Sequence, residues 1–150
     1  MSGFSNDVLA SPGQLVDRAI ELSIAHPGDG VCVAGPHGLA AMVALIERDF
    51  ERVECAHHAT CAGADETCDV LMMVGPMTAQ DLATTVRRTV PMLRDGGVLL
   101  TQLGRPGDGA AVRNALAALR YSVAGVLIDR GEGRLVAYTL KRPTPLRKAG

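Results

Sequence analysis

The chain has no tryptophan, only two tyrosines and two phenylalanines in 150 residues, and a net charge of −1. So few rings argue against base-stacking platforms and aromatic cages, which need exposed aromatic faces. The near-zero charge balance offers no polyanion-binding surface, so nucleic acid is not expected as a partner. Long apolar runs are missing too. The stretches at 70–74 and 97–100 fall far short of a bilayer span, so no membrane segment is expected. The opening residues MSGFSNDVLASPG carry no basic segment followed by an apolar one, and a soluble, cytoplasmic protein is therefore expected. Cysteine is limited to Cys32, Cys55, Cys61 and Cys68, which a chain without an export signal is expected to keep reduced. Internal repeats and low-complexity segments are absent.

What is present is enough chain for one ordinary domain, with 47% hydrophobic and 21% charged residues, able to bury a core without disulfide or metal staples. A single domain over 1–150 is expected, with flexible ends at 1–10 and 143–150. Ser11-Pro12 has the signature of an N-cap followed by proline at the first helical position, and Leu15, Ala19 and Leu22 recur at helical spacing, predicting a helix to about Ala25. Strands are predicted at 31–34, 52–56, 69–74 and 98–103. The third is a continuous apolar run of the kind buried on both faces of a parallel sheet. A helix is predicted from Gly38 to Asp49. Thr78 with Asp81 forms a near capping box for another, whose face runs through Leu82, Val86, Val90 and Leu93 until Asp95-Gly96-Gly97 ends it. Asp108 is expected to cap a further helix. Two closing strands, 122–129 and 134–141, flank the turn Arg130-Gly131-Glu132-Gly133. Alternating elements with short loops predict an α/β fold with a mostly parallel sheet ending in an antiparallel hairpin.

Residues 31–38, VCVAGPHG, run from a buried strand through a glycine-bearing turn into a helix. In Rossmann-like folds this corner cradles nucleotides, because glycine lets the backbone approach a ligand and the helix start offers free N–H groups. Together with TVPMLRDGGVLL and RYSVAGVLIDRGEGRLVAYTLKR, the stretch VCVAGPHGLAAMVALI resembles the class I S-adenosylmethionine-dependent methyltransferases, over roughly residues 11 to 142. The resemblance implies a Rossmann-like fold of about six strands and a cofactor site at Gly35, Pro36, His37 and Gly38, with His57 near the ribose and Gly75 at the end of the third strand. It also shows where the chain departs from that family. Val33 stands where the family has an acid before the turn, and His57 stands where it has the ribose-binding carboxylate. An imidazole makes one hydrogen bond there, not a bidentate pair. The ten residues between His58 and Asp69 are too few for the family's next βαβ-type crossover. Gly75-Pro76 brings neither a polar anchor nor a ring to the substrate side, and Thr101 and Gln102 are the neutral polar groups nearby.

These features imply a methyltransferase-like protein with a degenerate site, in which S-adenosylmethionine binding is weak or lost and the role is that of a scaffold or interaction module. The alternative is a small divergent methyltransferase of unknown substrate. No catalytic residue is assigned. Cys55, His57, His58, Cys61 and Cys68 are the right side chains for zinc but lack the paired spacing of structural sites, so no metal is expected. Without the crossover, the second strand is left at a sheet edge. A homodimer or a protein partner is expected there, or on the adjacent helix at Ala40, Ala41 and Ala44.

Overall fold

Strand and helix alternate through residues 11–56, 68–130 and 134–143, the portion described in this computed structural model. The elements are α1 Pro12–Glu21, β1 Gly30–Ala34, α2 Gly38–Glu47, β2 Arg52–Cys55, β3 Cys68–Met73, α3 Ala79–Thr89, β4 Leu93–Gln102, α4 Asp108–Ala118, β5 Ser122–Asp129 and β6 Leu135–Lys141. They form one six-stranded sheet in the order β2-β1-β3-β4-β6-β5. β1 pairs in parallel with β2 and β3, and β3 with β4, whereas β6 runs antiparallel between β4 and β5. The six strands and the closing antiparallel strand follow the sequence expectation. The predicted gap after β2 falls on residues outside those described. Among the described residues, no strand lies beyond β2.

Each face of the sheet carries a separate apolar cluster. One packs Leu15, Val16, Ala19, Ala41 and Leu45 of α1 and α2 against Val31, Val33, Val70 and Met72. The other packs Leu82 and Val86 of α3 and Val112 and Leu116 of α4 against Leu71, Leu99, Val136 and Tyr138. Burying each such side chain contributes about 1.5–3 kcal/mol. α1 begins as its sequence predicts, in a capping box in which the Ser11 hydroxyl accepts from Gln14 N–H and the Gln14 side chain accepts from Ser11 N–H. It stops at Glu21, short of Ala25, because Ser23 takes a left-handed φ of 61°. α2 likewise ends at Glu47, before Asp49 at φ 71°.

Two expectations are corrected around α3. Pro91 cannot continue the helix, which tightens into a 3-10 turn at Val90–Met92. Leu93, expected on the helix face, is instead the first residue of β4. The Gly96-Gly97 pair therefore lies inside β4. The register with β3 slips there from Cys68↔Leu93 to Val70↔Val98, leaving residues 94–97 as a bulge. Asp69 anchors this end of the sheet. Its carboxylate accepts from Gly30 N–H at 2.7 Å and from Arg94 Nε, with Arg52 at 3.5 Å. Asp108 is also corrected, since the cap of α4 is Gly107 and Asp108 is the first helical residue. Among the described residues, no helix is long and apolar enough to cross a membrane.

Candidate functional site

The β1–α2 turn sits at the carboxyl ends of the parallel strands, where open α/β sheets collect ligands. Gly35 leaves β1 at φ 101°, and Gly75 leaves β3 at φ 107°, both in backbone space that L side chains rarely adopt. The two loops close on each other. His37 N–H donates to Val74 C=O at 3.0 Å, and Val74 N–H donates to Ala34 C=O at 2.8 Å. A Cβ on Gly35 would lie 2.4 Å from the Val74 carbonyl oxygen, and one on Gly75 would lie 2.9 Å from His37 N. Each glycine is thus required by the backbone of the opposite loop.

This closure consumes donors that a nucleotide turn normally presents. Pro36 has no N–H, His37 N–H is held by Val74, and Gly38 N–H donates to Gly35 C=O at 3.1 Å. His37 occupies the N-cap position of α2, but its side chain makes no capping hydrogen bond and stands exposed. Gly38 is buried beneath the turn, where an added Cβ would sit 3.5 Å from Cys55 Sγ. Of the residues the sequence assigns to the cofactor, Gly35, Pro36, His37, Gly38 and Gly75 therefore converge. His57 lies outside the described residues, as do His58 and Cys61.

At the neighbouring strand end, Thr101 is buried and its hydroxyl donates to Gln102 C=O at 3.4 Å, as a satisfied core threonine would. Asp108, read from the sequence only as a helix cap, has a state that the sequence did not give. It is buried at the start of α4, with Oδ2 accepting from Arg105 N–H at 3.0 Å and Oδ1 without a hydrogen-bond partner. The signal was the Pro106-Gly107 turn before it, which moves the cap one residue upstream. Glu54, the carboxylate nearest the expected ribose position in sequence, is on the face opposite α2, with Oε1 3.9 Å from Cys32 Sγ. A depression of ≈ 290 Å³ lined by Val31, Cys32 and residues 51–54 lies along the β2 edge, not over the glycine turn.

Among the described residues, no group of three His, Cys, Asp or Glu side chains is arranged to hold a metal ion. Two of the described thiols are held protonated. A hydrogen bond with Cys32, reinforced by burial, pushes the Cys68 thiol well above its usual range, and Cys68 Sγ also donates to Met92 C=O at 3.5 Å. Burial, with Cys32 nearby, pushes the Cys55 thiol up as well. Since the thiolate is the nucleophile, Cys32 and Cys68 are expected to resist iodoacetamide at pH 8 in the native protein and to react fully in urea. Peptide-level mass spectrometry checks this, and native alkylation of Cys68 as fast as in urea would refute it.

No family model and no curated protein sequence matches this chain. Its fold is nonetheless shared with solved structures. A SAM-dependent O-methyltransferase from Thermotoga maritima aligns at TM-score 0.54 and 14% identity, over 93% of this chain and 68% of that one. The ribosomal protein L11 methylase of Lactobacillus delbrueckii subsp. bulgaricus aligns at 0.52 and 13%, over 87% and 78%. This is the class I methyltransferase fold. A protein-(glutamine-N5) methyltransferase from Alicyclobacillus acidocaldarius aligns at 0.53 and 17%, over 95% of this chain and 100% of that one. Within this methyltransferase fold, the β1–α2 turn and the end of β3 lie together at the carboxyl ends of the parallel strands, and the β6–β5 pair forms the terminal hairpin.

Proposed function

We propose that this protein is a methyltransferase-fold scaffold whose S-adenosylmethionine site is degenerate and whose role is association rather than methyl transfer. The observation that carries this reading is the closed turn, in which the His37 and Gly38 donors are spent on Val74 and Gly35 and Pro36 supplies none. Two further features support it. No carboxylate stands at the described end of β2, where Glu54 points to the other face and Cys55 and Ala56 follow. At the end of β3, Val74-Gly75-Pro76-Met77 offers no side chain to hold an amine or hydroxyl substrate.

A second reading, a small S-adenosylmethionine-dependent methyltransferase, draws on one observation. The whole of the Alicyclobacillus methyltransferase chain is covered by this one, so the missing length relative to other neighbours does not by itself exclude an enzyme. Calorimetric titration with S-adenosylmethionine and S-adenosylhomocysteine separates the two readings. Replacing the ribose carboxylate by histidine costs about 1.5–3 kcal/mol, roughly a 10- to 150-fold loss. The scaffold reading expects a Kd no tighter than about 1 mM, or −4 kcal/mol. Saturable binding at ~10 μM or tighter that is lost in His57→Ala would establish the enzyme reading instead.

A further inference from the structure

Among the described residues, seven large apolar side chains stand between 39% and 61% exposed, and they fall in only two places. Leu39, Val43 and Ile46 form a stripe on α2 at i, i+4 and i+7, over the β2 edge of the sheet. Val123, Val126, Leu127 and Ile128 lie on β5, the opposite edge strand, which is exposed on both faces from Ser122 to Ile128. The net charge of −1 conceals a matching partition. Of 16 acidic residues, 11 precede residue 76, and of 15 basic residues, 12 follow it.

Part of this partition falls at the same two ends. Near the α2 stripe, Glu47, Asp49 and Glu51 are exposed, and Glu54 is exposed on the other face of the same β2 edge. The two arginines there are already engaged, Arg48 with Asp17 and Arg52 with Asp69. Around β5, Arg120, Arg130 and Arg134 are exposed, and among the described residues the acids nearest that end, Asp129 and Glu21, both bind Arg18 at 2.8 Å. Each end thus offers an apolar centre with a charged rim, one negative and one positive.

We infer that the occupant of each patch is the other patch on a second copy of this chain, joined head to tail. Two like ends would bring rims of the same sign together, and like-charge juxtaposition opposes docking. Opposite ends bring the acidic rim of α2 and β2 against the basic rim of β5 and bury apolar surface between them. Both patches also flank edge strands that no other strand pairs among the described residues, and proteins cover such edges or pair them with another chain. A head-to-tail contact leaves a free patch of each kind, so it propagates into rings or filaments rather than stopping at a closed dimer. The inference deepens the scaffold reading and rests on it for the choice of a protein as occupant.

Sedimentation and light scattering of the full chain test it. The wild-type protein is expected to rise in mass with concentration beyond two copies of 15.7 kDa, with affinity falling about tenfold between 50 and 500 mM NaCl as the rims are screened. Val43→Glu and Val126→Glu, each with one patch spoiled, are expected to be monomeric alone and to form a 1:1 pair when mixed, since each keeps one complementary patch. Circular dichroism checks that each is folded, and Ile46→Glu and Ile128→Lys serve in their place if not. A monomeric wild type at ~100 μM, a concentration that populates complexes with Kd of that order, overturns the inference. So does a single-patch variant that still dimerises alone, which would mean a symmetric contact. The calorimetric titration fails or succeeds independently of these masses.

Discussion

Gly35→Val is expected to lower the unfolding free energy by about 3–5 kcal/mol, combining backbone strain with overpacking. The φ of 101° is one that a β-branched residue adopts only at high cost. The added Cβ would also meet the Val74 carbonyl oxygen at 2.4 Å, with Val74 N at 3.1 Å. Neither neighbour can give way, because both belong to the hydrogen bonds that fasten the two loops, Val74 to Ala34 and His37 to Val74. Gly28→Ala is the control, since nothing lies within 4 Å of its added Cβ, and it is expected to change stability by less than about 0.5 kcal/mol. Urea denaturation of the two variants measures the difference. A Gly35→Val loss below 1 kcal/mol would show that the turn opens easily and that its donors are not held by the opposite loop.

Asp69→Asn is expected to cost about 2–3 kcal/mol at pH 7, because a carboxylate accepting from Gly30 N–H and Arg94 is replaced by a neutral amide. Burial raises the Asp69 pKa, but the Gly30 N–H and the Arg94 guanidinium outweigh it and hold the carboxyl below its ordinary value. A depressed folded pKa places the contribution above the unfolded value of about 3.9 and removes it as pH falls through the folded value. The wild type should therefore lose its advantage over Asp69→Asn below about pH 4. Melting curves from pH 7 to 3 follow the gap, and a constant gap would show that Asp69 acts through packing rather than charge.

Much of the fold was legible because its signals are local. The Ser11-Pro12 cap, the apolar run of β3 and the paired closing strands sit within a few residues of what they specify, and each forms where its pattern predicts. The errors share a physical cause. Leu93 continues the helical period of α3, yet strand pairing with β3 draws it into β4 once Pro91 has interrupted the helix. Ala41 and Ala44, expected to form a smooth outer surface, are buried against the sheet, and Leu39, Val43 and Ile46 face outward instead. The phase of α2 caused that inversion. Nearly every position of the helix is apolar, so periodicity could not tell inner from outer face. Val53 and Cys55 of β2 are half-buried and pack in the cluster under α2.

The candidate site was legible in position and not in state. Glycine before and after a strand-to-helix turn marks a close backbone approach, and the sequence places that approach at Gly35 to Gly38 and at Gly75. What approaches is decided by residues some forty positions apart, because the partner of the His37 N–H is the carbonyl of Val74. Likewise the acidic and basic halves are written in the order of residues, but only the strand order β2-β1-β3-β4-β6-β5 sets the acidic residues of α2 and β2 and the arginines around β5 at opposite edges. Sequence alone determined the kinds of element, their order and the loops that must turn, since these depend on short-range sterics and hydrophobic period. Tertiary structure alone decided which donors are spent, which face of α2 is bare and where opposite charge accumulates, since each depends on pairing between distant parts of the chain.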